Sequence, residues 1–440
     1  MSTAIPLLMF PALFSLIFLG IPVAFSLIVV GAAFSYLVLG SNIGFQMHGG
    51  LTSVASNFSL VAIPLFIFMG ALLERSQIAA NLLHALRLIL GRFPGGLSVA
   101  VILICAIFAA SSGVVGAVEI LVGLMAVPSM LKAGYKKDLI CGSVCGGGSL
   151  GTIIPPSVIV VIYASIADLS IGDLFAGILL PGLIMTAFFL IYVVGRCMLW
   201  PEDGPPISME ESNSVSTAQK LWLLLTALVP CVGLILAVIG SIFAGIASPT
   251  EAAAVGALGA ILLTIWYRQF SVPLLVEALK QTAMITAMTM LIVLGGTFFT
   301  SAFLVNGGGS VVRTLMGDLG LGPTETVWLF LFVIFLLGFV LDWISILLIT
   351  VPIFNPVILH FGIDPIWFAV MVCVVLQTSY LTPPMAPSIF YLQSIAPKNI
   401  TLGDMYRGVI PFIALQMLTL LMVYLMPVLA TYMPGILFRL

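Results

Sequence analysis

The sequence predicts an all-α polytopic membrane protein built from inverted repeats, with two re-entrant helical hairpins and two broken helices. Three observations predict it. The 440 residues are 62% hydrophobic and only 7% charged, with mean hydropathy +1.29, where an ordinary soluble domain carries about 25% charged residues. Two apolar stretches long enough to cross a bilayer are interrupted by adjacent prolines, Pro155-Pro156 and Pro383-Pro384. The second half of the chain also repeats the order of features of the first. This composition excludes a soluble enzyme. With no basic patch there is no nucleic-acid partner to expect, and the lipid bilayer is the chain's immediate surrounding.

Ile5 to Leu39 reads as one long apolar segment able to span with tilt. Its start, MSTAIPLLMF, lacks the basic n-region and small-residue cleavage site of a removed signal. Residues 40–56 read as a polar, Gly-rich, uncharged connection, and Asn57 to Leu73 as the next span. Glu74 to Arg92 is amphipathic, with Leu82, Leu83, Leu86 and Leu90 on one face, and reads as a helix lying at the membrane interface. Residues 1–92 thus form an N-terminal scaffold.

Phe93 to Leu131 is too long for one span and too short for two spans with a surface turn. No charge marks its centre, Ala109 to Gly113, so 93–131 reads as a hairpin with a buried tip. Residues 138–166 form the first broken helix and 174–200 a plain span, which completes a first repeat over 93–200. A polar loop, 201–220, divides the chain.

Residues 221–326 continue the scaffold. Leu221 to Phe243 spans. Ser248-Pro249-Thr250-Glu251 opens Ala252 to Tyr267 with an N-cap, a first-turn proline and an acid at the positive helix end. Ala283 to Val305 spans, and a Gly-rich turn at Asn306 to Gly309 leads into a short amphipathic piece ending at Gly320. The second repeat fills 327–440: hairpin 327–360, broken helix 365–395 and span 405–433.

The repeats match in register. Val127-Pro128 and Gly134 pair with Val351-Pro352 and Gly362. Pro155-Pro156 with Tyr163 pairs with Pro383-Pro384 and Tyr391, and Ser170 to Asp173 pairs with Thr401 to Asp404. Positive charge sets orientation. With Arg75, Arg87, Arg92, Lys132, Lys136 and Lys137 in the cytoplasm, alternating spans place all of the 14 basic residues except Arg313 and Arg439 on that side. This gives a cytoplasmic N-terminus, nine crossing segments, a periplasmic C-terminus and hairpins that enter from opposite faces.

The chemistry is expected at the two breaks. Four glycines and two prolines between Gly146 and Ser157 cannot continue a helix. In hydrocarbon, unpaired backbone survives only where it is buried in protein or lines a wet cavity. Half-helix N-termini offer N–H groups to an anion, and unwound carbonyls offer oxygens to a cation. Ser111, Ser112, Thr152, Thr378 and Thr382 add neutral hydroxyls without a His, Cys or carboxylate cluster, which suits Na⁺ better than a transition metal. Close packing of small residues is the competing explanation for them. Ser112, Ser157, Ser345 and Ser388 are the candidate substrate-binding hydroxyls.

Glu119 and Asp342 are acids at membrane depth. Each is a functional candidate, since burying a charge costs ~2.5–3.5 kcal/mol on insertion scales, or else a helix-end partner at a hydrated edge. Glu251 reads as a helix-start residue. The six cysteines all lie in apolar segments with neither redox nor zinc spacing, so they read as small core residues. Gly147 to Gly151 matches G-x-S-x-G, but no strand-to-helix elbow or nearby base supports a serine nucleophile, which leaves an intramembrane protease as a remote alternative.

Ile63-Pro64-Leu65-Phe66 with Gly70, Pro94 to Leu97, Pro128 with Gly134-Tyr135, Leu150 to Ser157, Pro249 to Ala252 and Thr382-Pro383-Pro384 together resemble the large membrane (DctM-type) subunit of TRAP, tripartite ATP-independent periplasmic, transporters. The resemblance covers essentially the whole chain. It implies an elevator-type, Na⁺-driven secondary transporter of the bacterial inner membrane. It also implies a small four-helix membrane subunit, not fused here, and a periplasmic substrate-binding protein that delivers an organic anion such as a carboxylate or sugar acid. Carried onto this sequence, it points to one Na⁺ between Ser111, Gly113, Gly151 and Thr152. A second would sit between Gly338, Asp342, Thr378 and Thr382, although the second hairpin tip lacks the Ser-Ser-Gly pattern of the first. No organic cofactor is implied. A self-sufficient ion-coupled carboxylate permease of similar fold is the alternative.

Overall fold

The computed structural model describes residues 4–76, 78–112, 115–206, 216–383 and 386–438. All regular structure among them is helical, and eight helices are long and apolar enough to cross a membrane. The protein is a multi-pass membrane protein.

The N-terminal part comprises α1 (Ala4–Phe18), α2 (Val23–Leu39), α3 (Ile43–Ala55), α4 (Ala62–Arg75) and α5 (Ile78–Leu90). Two expectations change here. The Ile5–Leu39 segment is two helices, because Gly20 adopts φ 86° and Pro22 supplies no N–H for a continuous ladder. Residues 40–56 are not an open connection but a 3₁₀ turn followed by α3. Uncharged polar residues there keep helical hydrogen bonding once packed beside the long central helix. The amphipathic α5 forms as expected. Its apolar face (Leu82, Leu83, Leu86) is buried against protein helices rather than left to lipid.

The first hairpin is α6 (Gly96–Ser112) and α7 (Val115–Lys132), which pack on each other. The first broken helix is α8 (Lys137–Ser149), a 3₁₀ turn at Leu150–Thr152 and α9 (Val158–Ala167), followed by α10 (Ile171–Leu199). The prolines fall between the halves, and the Pro155–Pro156 peptide is cis.

Next come α11 (Thr217–Phe243), α12 (Pro249–Trp266), α13 (Val272–Val305) and α14 (Gly308–Asp318). The predicted start of α12 is a full capping box. Ser248 accepts from the Glu251 N–H, and the Glu251 carboxylate accepts from the Ser248 N–H at 2.7 Å. Helix α13 begins eleven residues before the expected Ala283, capped by Ser271. Its 34 residues make it roughly 50 Å long at 1.5 Å per residue, more than a ~30 Å hydrocarbon core needs.

The second hairpin is α15 (Pro323–Leu337) and α16 (Trp343–His360). The second broken helix is α17 (Pro365–Leu381) and α18 (Pro387–Ile395), followed by α19 (Leu402–Leu425) and α20 (Val428–Phe438). The expected single last span is thus two helices, parted at Pro427. Matched positions of the two halves do the same local work. Gly134 and Gly362 close α7 and α16 at φ 83° and 66°, a left-handed position that favours glycine. Ser170 and Thr401 cap α10 and α19 through the amides of Asp173 and Asp404, each at 3.2 Å.

Two helix groups pack side by side. Helix α13 lies along α2, α3 and α4, and α12 along α4. The hairpins, broken helices, α10 and α19 make the second group, in which α8 lies against α6, α7 and α19. The α8–α19 crossing is close because glycines face each other: a Cβ on Gly142 would lie 2.3 Å from the Gly408 carbonyl oxygen. Small residues at crossings are how membrane helices gain contact where burial from water offers no drive.

Candidate functional site

Both breaks are sealed by their own hydroxyls. Ser149 Oγ donates to the Gly146 carbonyl, Thr152 Oγ1 to that of Ser149, and Ser157 Oγ to that of Thr152, at 2.8, 2.9 and 2.8 Å. At the second break Thr378 Oγ1 donates to Val375 and Thr382 Oγ1 to Thr378, both at 2.7 Å. Ala386 then turns through a positive φ of 33° into Pro387, the first residue of α18. Such side-chain bonds satisfy carbonyls that a broken helix leaves without partners.

Ser149 joins the two breaks. Gln377 Nε2 of α17 donates to the Ser149 carbonyl at 2.9 Å, and Gln416 Nε2 of α19 donates to its hydroxyl at 3.1 Å. Sequence reasoning singled out Ser149 for its G-x-S-x-G setting and missed both glutamines, although Gln377 opens the second Pro-Pro motif. A buried serine whose proton points at Gly146 and whose oxygen receives amides has no base to activate it.

Each hairpin packs on a break. Helix α6 lies against the Leu150–Thr152 turn, while the side chains of Ser111 and Ser112 at its end lie outside the described residues. Gly113 lies outside the described residues, as do Pro384 and Met385 of the second break. At the second tip a Cβ on Gly338 would stand 2.4 Å from Ser379 Cβ, so the tip touches α17 one residue beyond Thr378. Asp342 is the N-cap of α16. It accepts from the amides of Ile344 and Ser345 at 3.1 and 3.3 Å and from Ser345 Oγ at 2.5 Å. The helix-end role weighed for Asp342 is therefore present, and it occupies the Ser345 hydroxyl as well.

A cavity of about 330 Å³ opens where these parts converge, within the usual range for small-molecule sites. One wall is Gly116, Ala117 and Ile120 of the first hairpin with Thr152 and Ile159 of the first broken helix. A second is Trp343 and Ile344 of the second hairpin with Tyr380 and Tyr391 of the second broken helix. Ile67 of α4 and Ile285, Met288 and Thr289 of α13 close the far side. Of the expected solute-contacting residues whose side chains are described, Thr152 alone lines this cavity. Ser157, Ser345 and Ser388 are fully buried and do not line it. The aromatic residues Trp343, Tyr380 and Tyr391 were not anticipated as a set. Tyr391 stood out only as the repeat partner of Tyr163, and adjacency to Asp342 was the one signal at Trp343.

An ion-pair cluster braces one end of the same helix group. Arg196 of α10 pairs with Asp138 of α8 and with Asp203, both at 2.7 Å, and Asp203 also pairs with Lys136 at 2.5 Å. Burial pushes the Asp203 carboxyl up, but Lys136 and Arg196 outweigh it and hold the group below the ordinary carboxylate range.

Residues 10–429 match the family model of the DctM component of tripartite ATP-independent periplasmic transporters. The chain is 30% identical over 392 residues to the C4-dicarboxylate TRAP transporter large permease DctM of Pseudomonas aeruginosa, covering 88% of each. It is 30% identical over 423 residues to the sialic acid TRAP transporter large permease SiaM of Vibrio cholerae, covering 95% of this chain and 96% of that one. The ectoine/5-hydroxyectoine TRAP transporter large permease UehC of Ruegeria pomeroyi is 28% identical over 408 residues, 90% of this chain and 91% of its own. In fold, the chain is similar to the crystal structure of the Alcanivorax borkumensis YdaH transporter, with a TM-score of 0.61 at 14% identity over 92% of this chain and 98% of that one.

Proposed function

Because the chain belongs to the DctM component family of tripartite ATP-independent periplasmic transporters, we propose that it imports an organic anion across a bacterial inner membrane, driven by Na⁺. A periplasmic binding protein delivers the substrate, and a small four-helix membrane subunit completes the complex. The observation that carries this reading is the cavity in which both hairpins and both broken helices meet α4 and α13. A carboxylate there faces half-helix N-termini and hydroxyls rather than a basic side chain. Na⁺ sits behind it, at Gly151-Thr152 with the first tip and at Gly338 with Thr378 to Thr382. The hairpins, broken helices and following spans move as inverted repeats against a scaffold of α1–α4 and α11–α13, with the N-terminus cytoplasmic and the C-terminus periplasmic.

The driving force is sufficient. Each Na⁺ gains ~2.3 kcal/mol per 100 mV and ~1.4 kcal/mol per tenfold gradient. Two ions less one co-transported negative charge leave roughly 5 kcal/mol, enough for a concentration ratio above a thousandfold.

Reconstitution with the small subunit and the cognate binding protein tests the reading. An inward Na⁺ gradient is expected to drive uptake only when the loaded binding protein is present. Uptake of free substrate without that protein would instead establish a self-sufficient permease, and uptake indifferent to Na⁺ would remove the coupling ion.

A further inference from the structure

Glu119 is fully buried in the first turns of α7, and neither carboxylate oxygen has a hydrogen-bond partner. Its surroundings are set by glycine: a Cβ on Gly148 would stand 2.1 Å from Glu119 Cγ, so the glycine of α8 is what leaves room for this side chain. Ser388, the second residue of α18, is equally buried, and its hydroxyl also has no partner. That hydroxyl lies close enough to act on the carboxyl without meeting hydrogen-bond geometry. Among the described residues, the titratable groups that feel Glu119 are Cys105 of α6, Cys145 of α8, Tyr380 of α17 and Tyr391 of α18, and none of these is basic. From α5, Arg87 donates to Ser129 of α7 at 2.8 Å. That is ten residues beyond Glu119, or ~15 Å along the helix.

An ionised carboxylate without a counter-charge in such a place costs several kcal/mol even after relaxation, and a group so placed neutralises instead. The neutral acid has an O–H to donate, and an unpaired hydroxyl stands beside it. We propose that Glu119 is a bound-proton site, carried as the neutral carboxylic acid and donating to the Ser388 hydroxyl, so that α7 and α18 are held together as one wall of the cavity. Gly116, Ala117 and Ile120 of α7 and Tyr391 of α18 line that cavity, and Glu119 and Ser388 sit on the same two helices. Glu119 is thus a positioning residue. The proton is resident and is not exchanged during transport, so the site adds no charge to the part that moves. This holds whether or not Na⁺ is the coupling ion.

The test is infrared spectroscopy on the full chain in lipid with isotope-labelled glutamate, between about pH 6 and pH 8, well above an ordinary glutamate's ~4.3. A protonated glutamate carbonyl band that persists across this range and vanishes in Glu119→Gln is expected. Its absence from the wild-type spectrum overturns the proposal, and that measurement needs no folded variant. Transport supplies the second readout. Glu119→Gln, which keeps a donor, is expected to work within about twofold of wild type, while Glu119→Ala loses roughly tenfold or more by leaving Ser388 unpaired. A folded Glu119→Gln protein as inactive as the alanine variant shows that ionisation is needed, and sinks the neutral-acid assignment.

Discussion

Asp203 shows how a single side chain holds three segments. It draws Arg196 of α10 and Lys136 of the α7–α8 connection onto the turn after α10, and its backbone carbonyl accepts from the Lys136 amide at 3.0 Å. Removing one member of a buried ion pair costs about 3–5 kcal/mol, and Lys136 is half exposed, so Asp203→Asn is expected to cost roughly 1–3 kcal/mol. A fall in melting temperature in detergent, larger than that of Lys136→Ala, checks it. The carboxyl's folded pKa lies below its unfolded value of ~3.9. The stabilisation is therefore complete above that value and lost as pH falls through the folded one. Melting temperature measured from about pH 6 down to about pH 3 should fall less steeply in Asp203→Asn than in wild type. Such residue-scale roles were unevenly legible. The Ser248–Glu251 cap could be read because its parts sit three residues apart. The Asp203 cluster could not, since its partners are 7 and 67 positions away.

Elements were legible wherever a local signal ends a helix. Prolines at 155–156 and 383 and glycines at 134 and 362 lie at helix ends, because backbone chemistry acts on its own turn. The start of α13 and the helical state of residues 43–55 were not legible, since packing along α2 and α13 overrides a weak polar pattern. The role of most glycines also waited for neighbours. A Cβ on Gly408 would stand 2.2 Å from the Asp138 carbonyl oxygen, which is backbone and cannot swing aside. Gly408→Ala is therefore expected to push α19 from α8 and cost about 1–3 kcal/mol, the usual penalty of overpacking. Gly435→Ala, with open space at its Cβ, is the control. Equal thermal stability of the two variants would show that the crossing is not tight.

At the scale of the molecule, the question is which group of helices moves. Thr300 of α13 donates to the Leu348 carbonyl of α16 at 2.7 Å, a direct bond between the long helix and the second hairpin. If the hairpins slide past α13 during transport, a disulfide between Thr300→Cys and Leu348→Cys should stop uptake, with reduction restoring it. The six native cysteines are buried and free, which limits wrong pairing. Undiminished uptake by a protein verified as cross-linked would exclude that movement.

The sequence by itself determined the membrane setting, the helical class, the places where the two broken helices stop and the family. Each of these is written in composition, in local backbone chemistry or in motifs that survive at 30% identity. Only the tertiary structure decided which side chains meet. It placed Ser149 under Gln377 and Gln416, tied Asp342 and Ser345 together as a helix cap, put three aromatic rings on the cavity wall, and left Glu119 and Ser388 buried without hydrogen-bond partners. The hydrogen bonds among these join residues up to 267 positions apart, and distance in space between such positions is set by helix packing, which no local pattern encodes.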